Sequence, residues 1–97
     1  MRKYILDRFF VWDDEKDKKN RKKHGISFES AAYVFADPYR IEYPDEAHSD
    51  DEMRYDVIGL VDKVLFVVYT EREDATRIIS ARKATAKERS AYNGNRS

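Results

Sequence analysis

Basic side chains cluster in one segment near the C-terminus, from Arg77 to Arg89. Three arginines and two lysines fall within these thirteen residues, in a chain whose formal net charge is zero. An arginine never loses its proton in proteins, and its planar fork donates paired hydrogen bonds, so it suits phosphate better than other side chains do. The chemistry that Arg77 and Arg82 could support is therefore phosphate binding and stabilisation of transition-state charge.

A strand must position these arginines, because β-branched residues separate them and predict a strand from Thr76 to Arg82. Side chains of a regular strand alternate between faces, so Arg77 and Arg82 would point to opposite sides. Both can serve one site only if the strand bends or ends before Arg82. The alternative is a surface ion pair, with Glu71 or Glu73 for example, which contributes little stability.

Candidates for proton transfer lie in the segment Lys23-His24-Gly25. Histidine titrates near neutral pH, and the C-terminus of a helix favours its charged form, which suits a general acid or base. The alternative role for His24 is to cap a helix beside its terminal glycine. His48 has no second histidine at ligand spacing, and the carboxylates near it lack the spacing of a calcium loop. We expect no metal site and no cofactor.

The whole chain is predicted to form one domain of 97 residues, with 41% hydrophobic and 13% aromatic residues, which is typical of a globular fold. There is no cysteine, so disulfides and thiolate metal sites are excluded. The longest apolar run, from Val64 to Tyr69, is too short to span a bilayer. We expect a cytoplasmic protein that does not enter a membrane.

The zero net charge hides a strong polarity along the chain. Residues 1–25 carry nine Lys/Arg against five Asp/Glu, residues 26–56 carry two against nine, and residues 57–97 carry eight against five. If the two basic segments share a face, that face suits a polyanion. The alternative is that these charges are simply solvated.

The first basic segment is predicted to be a helix over residues 14–24, capped by Asp13 and ended by Gly25. It contains no aliphatic or aromatic residue, so it is either loosely held or a binding surface. We expect RNA contacts from Lys19 and Lys22 of this helix, from Lys83 at the end of the last strand and from the ring of Trp12. A lone tryptophan is more often part of a core, which is the alternative for Trp12.

The remaining elements are a short first strand over residues 9–12, a second helix, four later strands and a last helix. The second helix begins at Ser27, ends at Pro38 and presents apolar residues at helical spacing. A last helix is predicted over residues 86–92; Thr85 and Glu88 form its start, and Asn93-Gly94 ends it. Strands are predicted at 39–43, 53–61, 64–70 and 76–82. This order predicts an α+β fold, with helices on one face of an antiparallel sheet and the other face partly open. Tyr55 and Tyr69 would be partners across neighbouring strands.

Several segments resemble one family when they are taken in order. They are Phe10-Val11-Trp12-Asp13, Lys23-His24-Gly25-Ile26-Ser27-Phe28-Glu29, Ala31-Ala32, Val34-Phe35, Asp37-Pro38, Asp45, His48-Ser49, Glu52, Arg54, Gly59, the strand from Val64 to Thr70, and Arg77 to Arg89 with Tyr92. Over residues 9–92 the chain resembles the BrnT toxins of type II toxin–antitoxin systems. Residues 1–8 depart from this pattern and are interpreted as a leader, and residues 93–97 as a frayed tail.

The resemblance implies a compact RelE-like fold and a metal-independent endoribonuclease that inhibits translation. It also implies a cognate antitoxin of the ribbon-helix-helix type, a heterotetramer with that antitoxin, and repression of the shared operon, with operator DNA bound only through the antitoxin. Cleavage would use the RNA 2′-hydroxyl as nucleophile. That reaction needs a base, a cation for the phosphorane and an acid for the leaving oxygen.

The residue roles that we predict on this basis are Arg77 and Arg82 on the phosphate and Lys23 or His24 in proton transfer. Arg54 and Tyr69 would support them. The competing hypothesis is a non-catalytic RNA- or protein-binding module that acts as corepressor with its partner. It is favoured by the lack of a clear acid–base pair in the sequence.

Overall fold

Six strands form one sheet in the part of the chain that the structure, a computed structural model, describes, residues 1–49 and 51–96. In chain order they are β1 (Arg2–Ile5), β2 (Arg8–Val11), β3 (Ile41–Pro44), β4 (Tyr55–Val61), β5 (Lys63–Arg72) and β6 (Ala75–Lys83). Their order across the sheet is β1-β2-β6-β5-β4-β3. The apolar strand β5 therefore pairs on both sides, as its sequence predicts.

The sheet is mixed, which corrects the predicted antiparallel sheet. Four of its five strand pairs are antiparallel, but β2 runs parallel to β6. A parallel pair needs a long crossover. Here the whole chain from α1 to β5 lies between the two strands, so no local pattern could indicate the pairing.

Three α-helices complete the described fold: α1 (Asp14–His24), α2 (Phe28–Ala31) and α3 (Ala86–Arg96), with 3₁₀ turns at Ala32–Ala36 and Glu46–His48. The predicted caps are confirmed. The Asp13 side chain accepts from two backbone N–H groups of α1, and Gly25 ends α1 with φ of +72°. Ser27 caps α2. No helix among the described residues is long and apolar enough to cross a membrane.

The main core lies between one face of the sheet and the segment formed by α2 and the 3₁₀ turn after it. Its buried side chains come from both layers and include Phe10, Trp12, Phe28, Ala31, Ala32, Val34, Phe35, Val57, Leu65, Val67, Tyr69, Ile78 and Ala81. Gly59 on β4 allows this close packing, because a Cβ there would meet atoms of Val34 at 3.1 Å. The helical spacing of Phe28, Ala31, Ala32 and Phe35 therefore correctly indicated a core face.

α1 has no apolar side chains, and a buried amide holds it instead. The Asn20 Nδ2 donates to the backbone oxygens of Ala81 at 2.8 Å and Ile26 at 2.9 Å, and its Oδ1 accepts from the Ala81 N–H at 3.2 Å. β2 pairs with β6 only as far as Arg77, and the Asn20 side chain takes the place of a strand partner further along this edge of β6. Asp17 adds a second anchor by accepting from the Phe28 N–H.

α3 runs through Asn93-Gly94, past the predicted end of this helix. Contacts with the loop before β3 hold the extra turn: Asn95 donates to the Tyr39 backbone oxygen, and the Arg96 guanidinium lies over the Tyr39 ring. Ser97, the end of the predicted frayed tail, lies outside the described residues. At the other terminus, the predicted leader contains β1, which pairs with β2 as the outer strand of the sheet.

Asp37 joins three elements through one carboxylate. It accepts from the Tyr39 and Leu60 N–H groups and from the Tyr92 hydroxyl of α3. Burial would raise the pKa of Asp37, but these hydrogen bonds outweigh burial and the pKa is lowered. A lowered carboxyl pKa in the folded state adds stability above the ordinary pKa, and this contribution is lost as pH falls through the folded value.

We therefore expect Asp37→Asn to unfold at lower urea concentration than the wild type at pH 7, with a loss of about 1–3 kcal/mol. Below the ordinary carboxyl pKa of about 4 the difference should shrink, because the wild type then loses the charged hydrogen bonds too. Urea unfolding at pH 7 and pH 3 measures both effects. Glu73→Gln, in the exposed turn before β6, is the control. A difference that stays constant with pH would contradict this role of the Asp37 charge.

Candidate active site

One extra residue in β6 brings Arg77 and Arg82 to the same face of the sheet. β5 pairs Phe66 with Arg82 and Thr70 with Arg77, but the register shifts between Val68 and Tyr69, and Ile79 is the additional residue. Such a bulge reverses the alternation of side chains. The two arginines could serve one site only if the strand were irregular between them, and the bulge provides this irregularity. We call this side of the sheet, opposite the core and carrying Thr70, Arg77 and Arg82, the arginine face.

A cleft of about 390 Å³ opens on the arginine face. Its lining combines an apolar floor with charged and hydroxyl groups: Asp45, Arg54, Phe66, Val68, Ile79, Ser80 and Arg82. The Nε of Arg54 is buried and has no hydrogen-bond partner among the described residues. Arg54 and Arg82 therefore line the same cleft.

Arg82 is held in place by α3. Its guanidinium makes two parallel hydrogen bonds to the Glu88 carboxylate, at 2.8 and 3.0 Å, and lies 4.1 Å from the centre of the Phe66 ring. The hydrogen bond from Arg82 lowers the pKa of Glu88. Glu88 also accepts from the Thr85 N–H, which confirms the predicted helix start. Arg82 therefore forms an ion pair, which was the alternative to a role in phosphate binding, but its partner is Glu88 and not Glu71 or Glu73.

Tyr43 and Asp56, which are not among the predicted site residues, lie on the arginine face as a cross-strand pair of β3 and β4. Asp56 is buried. Burial, followed by the charges of Asp56, Glu88 and Asp45, raises the pKa of Tyr43, so its hydroxyl keeps its proton. The alternation of β4 could have revealed this pair, since the inward positions of Tyr55 and Val57 place Asp56 outward.

α1 lines the arginine face with lysines. Asn20 points at β6, and Asp17 and His24 lie on the flank of α1 that meets α2. Residues three or four apart share a helix side, so Lys16 and Lys23 lie on the opposite flank, with Lys19 beside Lys23. The charges of Lys16 and Arg77 both help to lower the pKa of Asp13, after the hydrogen bond from the Lys16 N–H. Val11 pairs with Arg77 and α1 begins three residues later, so the start of that flank lies near Arg77.

Three other predicted site residues lie elsewhere. His24 and Lys83 line a separate cleft of about 550 Å³ with Arg21 and Lys63, on the core side of the sheet. Lys22 is exposed on the side of α1 that faces away from β6. Lys19 and Lys23 thus lie on the flank of α1 that begins near Arg77, whereas His24, Lys22 and Lys83 do not.

Tyr69 and Trp12 are part of the core. Tyr69 stacks on Tyr55 with 5.6 Å between ring centres, which confirms the predicted partnership, and its hydroxyl donates to Glu42 at 2.7 Å. Burial and this hydrogen bond raise the pKa of Tyr69. Trp12 packs edge-on against Phe28. Both rings face away from Arg77 and Arg82. Trp12 is therefore a core residue, which was the alternative to an RNA contact.

Comparison with known proteins agrees with this fold. The family described as "Ribonuclease toxin, BrnT, of type II toxin-antitoxin system" matches residues 12–88. The crystal structure of the Brucella abortus ribonuclease toxin BrnT superposes with a TM-score of 0.62 at 23% identity, over 78% of this chain and 95% of that chain. No curated protein sequence matches the chain.

The family match contains the arginine face from α1 to the start of α3, including Arg54, Arg77, Arg82 and Glu88. It covers more than half of the chain and most of the segments on which the sequence resemblance rested. The chain therefore belongs to the BrnT family of ribonuclease toxins of type II toxin–antitoxin systems.

Proposed function

We propose that this protein is an endoribonuclease that cuts RNA on the arginine face, without a metal ion. The observation that carries the proposal is the bulge at Ile79, which places Arg77 and Arg82 on one open surface. The 2′-hydroxyl of RNA attacks the adjacent phosphorus, and the bond from phosphorus to the 5′-oxygen of the next nucleotide breaks. The products are a 2′,3′-cyclic phosphate and a 5′-hydroxyl.

The phosphate would be held by Arg77, with Arg54 and Arg82 at the cleft beside it. Negative charge grows on the phosphoryl oxygens in the phosphorane, and guanidinium groups aimed at them stabilise it without reorganisation. The lysines of α1, Lys16, Lys19 and Lys23, add positive charge along the same side. Phosphate contacts of this kind attract an RNA strand without reading its sequence.

Proton transfer needs two further groups. The Tyr43 hydroxyl keeps its proton and could give it to the departing 5′-oxygen. Asp45 lines the cleft and Asp56 lies beside it, so a carboxylate is at hand to take the 2′-hydroxyl proton. We propose these residues in place of His24, which lines the other cleft, and Tyr69, whose hydroxyl is bound to Glu42 on the core side.

The family membership supports a protein antitoxin as partner. We further propose that this antitoxin neutralises the toxin, is of the ribbon-helix-helix type, forms a heterotetramer with it and represses their operon, with the toxin reaching DNA only through the antitoxin. The RelE-like assignment of the fold and action in the cytoplasm, where translation would be inhibited, belong to the same proposal.

Expression from a tightly controlled promoter tests this function in cells. We expect growth arrest with loss of bulk RNA, and relief when the small open reading frame next to the gene is expressed as well. The Arg77→Ala variant should accumulate as folded protein without arresting growth. Folded wild-type protein that binds RNA but neither arrests growth nor degrades RNA would favour the non-catalytic binding module instead.

A further inference from the structure

The Glu88 carboxylate lies between the start of α3 and Arg82, and it bonds to both. Its Oε1 accepts from the Thr85 N–H at 2.8 Å, and the Glu88 N–H donates to the Thr85 hydroxyl at 3.2 Å. This reciprocal pair is a capping box, in which the side chain at the third helical position reaches back to the backbone at the cap. Glu88 is therefore fixed by its own helix before it contacts Arg82.

The contacts of the Arg82 guanidinium use two of its three sides. Glu88 binds the end formed by Nη1 and Nη2, at 2.8 and 3.0 Å, and the Lys83 backbone oxygen accepts from Nη1 at 3.1 Å. A guanidinium carries five N–H groups in a fixed fork. The side that these contacts leave is formed by Nε and the second N–H of Nη2, and two parallel N–H groups of this kind suit a phosphate.

The Phe66 ring fixes the plane of the same guanidinium. The guanidinium carbon of Arg82 lies 4.1 Å from the centre of this ring, and both side chains line the cleft on the arginine face. A fork that is bonded at its end and packed on one face cannot turn without breaking its hydrogen bonds to Glu88. The Nε–Nη2 side of Arg82 therefore keeps one orientation.

Two opposite effects of Glu88 on the cleft must be compared. Its negative charge offsets that of Arg82, beside a cleft that Asp45 also lines, and this opposes the binding of a polyanion. Its hydrogen bonds hold the fork ready, and donors that need no reorganisation stabilise the charge that develops in a transition state. Because Glu88 occupies the end of the fork and not the Nε side, a phosphate need not displace it.

We infer that Glu88 is a positioning residue of the ribonuclease site, which holds the end of the Arg82 guanidinium so that its Nε–Nη2 side receives the phosphate. The inference rests on the proposed function, because it assumes that RNA phosphate is the ligand of the cleft. Glu88 itself does not touch RNA. Its contribution to the rate of cleavage arises through Arg82, and it opposes RNA binding slightly.

The test variant is Glu88→Gln, because glutamine also completes a capping box but offers Arg82 only one acceptor oxygen. We expect single-turnover cleavage at saturating RNA to slow about tenfold or more, since misplacing a group by about 1 Å can cost about 100-fold in rate. The affinity for single-stranded RNA carrying 2′-O-methyl groups, which lacks the nucleophile, should stay the same or increase because a negative charge is removed. Fluorescence anisotropy measures this affinity.

Two further variants serve as controls. Glu29→Gln makes the same change in α2, where the carboxylate forms an exposed ion pair with Lys3 at 2.7 Å, and should leave both the rate and the affinity unchanged. In a protein that already carries Arg82→Ala, Glu88→Gln should cause no further loss of rate, because the effects of residues that act through one another do not add. Circular dichroism confirms that each variant is folded.

The Nε–H signal of Arg82 in a nitrogen-15 NMR spectrum reports the assigned side of the fork without requiring cleavage. The spectrum of Arg82→Ala, which lacks this signal, identifies it. Adding the 2′-O-methyl RNA should shift the signal in the wild type. In Glu88→Gln the signal should be broadened or lost, because the guanidinium is no longer held at its end.

Cleavage by folded Glu88→Gln at or above the wild-type rate would overturn the inference and identify Glu88 as a competitor of the phosphate. A further loss of rate when Glu88→Gln is combined with Arg82→Ala would also overturn it, since Glu88 would then act independently of Arg82. An Nε–H signal that RNA does not shift would refute the assigned side. Wild-type protein that shows the shift but leaves ordinary RNA uncut would contradict the nuclease function and support the positioning of Arg82.

Discussion

Replacing Arg77 by alanine is expected to reduce RNA cleavage at saturating RNA by about 100-fold or more while the protein stays folded. The magnitude follows from the loss of one preorganised donor to the phosphorane, which typically costs about 10²–10³ in rate. Arg77 is half-buried at the pairing of β6 with β2, and its removal creates no large cavity. Rates under single-turnover conditions and urea unfolding curves measure the two properties separately.

Three variants sharpen this expectation. Arg77→Lys keeps the charge but loses the paired donors, so it should fall between the wild type and Arg77→Ala. Arg21→Ala removes the same charge from the α2 side of α1, outside the arginine face, and should cleave normally. Arg82→Ala should also cleave RNA slowly. Because it removes the two hydrogen bonds that Arg82 donates to Glu88, its effect on cleavage is harder to separate from an effect on the structure. Normal cleavage by folded Arg77→Ala would remove Arg77 from the site.

Replacing Asn20 by alanine is expected to destabilise the protein by about 3–5 kcal/mol. The change strips partners from the Ala81 N–H and from the backbone oxygens of Ala81 and Ile26, and each buried group left unpaired costs about 1–3 kcal/mol. α1 has no apolar contact to compensate, so this is a large part of the total stability of about 5–15 kcal/mol typical of a domain. Urea unfolding followed by circular dichroism gives the value.

Lys18→Ala is the matched control, because it lies on the exposed side of the same helix and should change stability by less than about 0.5 kcal/mol. Asn20→Asp keeps the shape but replaces the amide donor with a carboxylate oxygen facing two carbonyls. We expect it to be at least as damaging as Asn20→Ala. Stability within about 1 kcal/mol of the wild type for Asn20→Ala would show that α1 is held by something other than this amide.

The parts of the fold that local patterns encode were predictable. Asp13, Gly25 and Ser27 each act through the residues next to them, so the bounds of α1 and the start of α2 follow from the sequence. The β-branched run of β5 and the turns on either side of it likewise indicated a paired inner strand. These predictions succeeded because capping and turn chemistry require only a few consecutive residues.

The features that matter most for the site are not local. A bulge of one residue decides whether Arg77 and Arg82 share a face, and Ile79 carries no mark that distinguishes it from a regular strand residue. The parallel pairing of β2 with β6 joins segments more than sixty residues apart. The burial of Asn20 depends on that pairing, because the free edge of β6 exists only where β2 ends.

The most direct test of the proposed function is incubation of purified protein with single-stranded RNA in EDTA. The comparison is between the wild type, Arg21→Ala and the double variant Arg77→Ala/Arg82→Ala, each verified as folded. We predict that the wild type and Arg21→Ala produce fragments ending in 2′,3′-cyclic phosphate and that the double variant leaves the RNA intact. Intact RNA with the folded wild type, or the same fragments from the double variant, would contradict an active site on the arginine face.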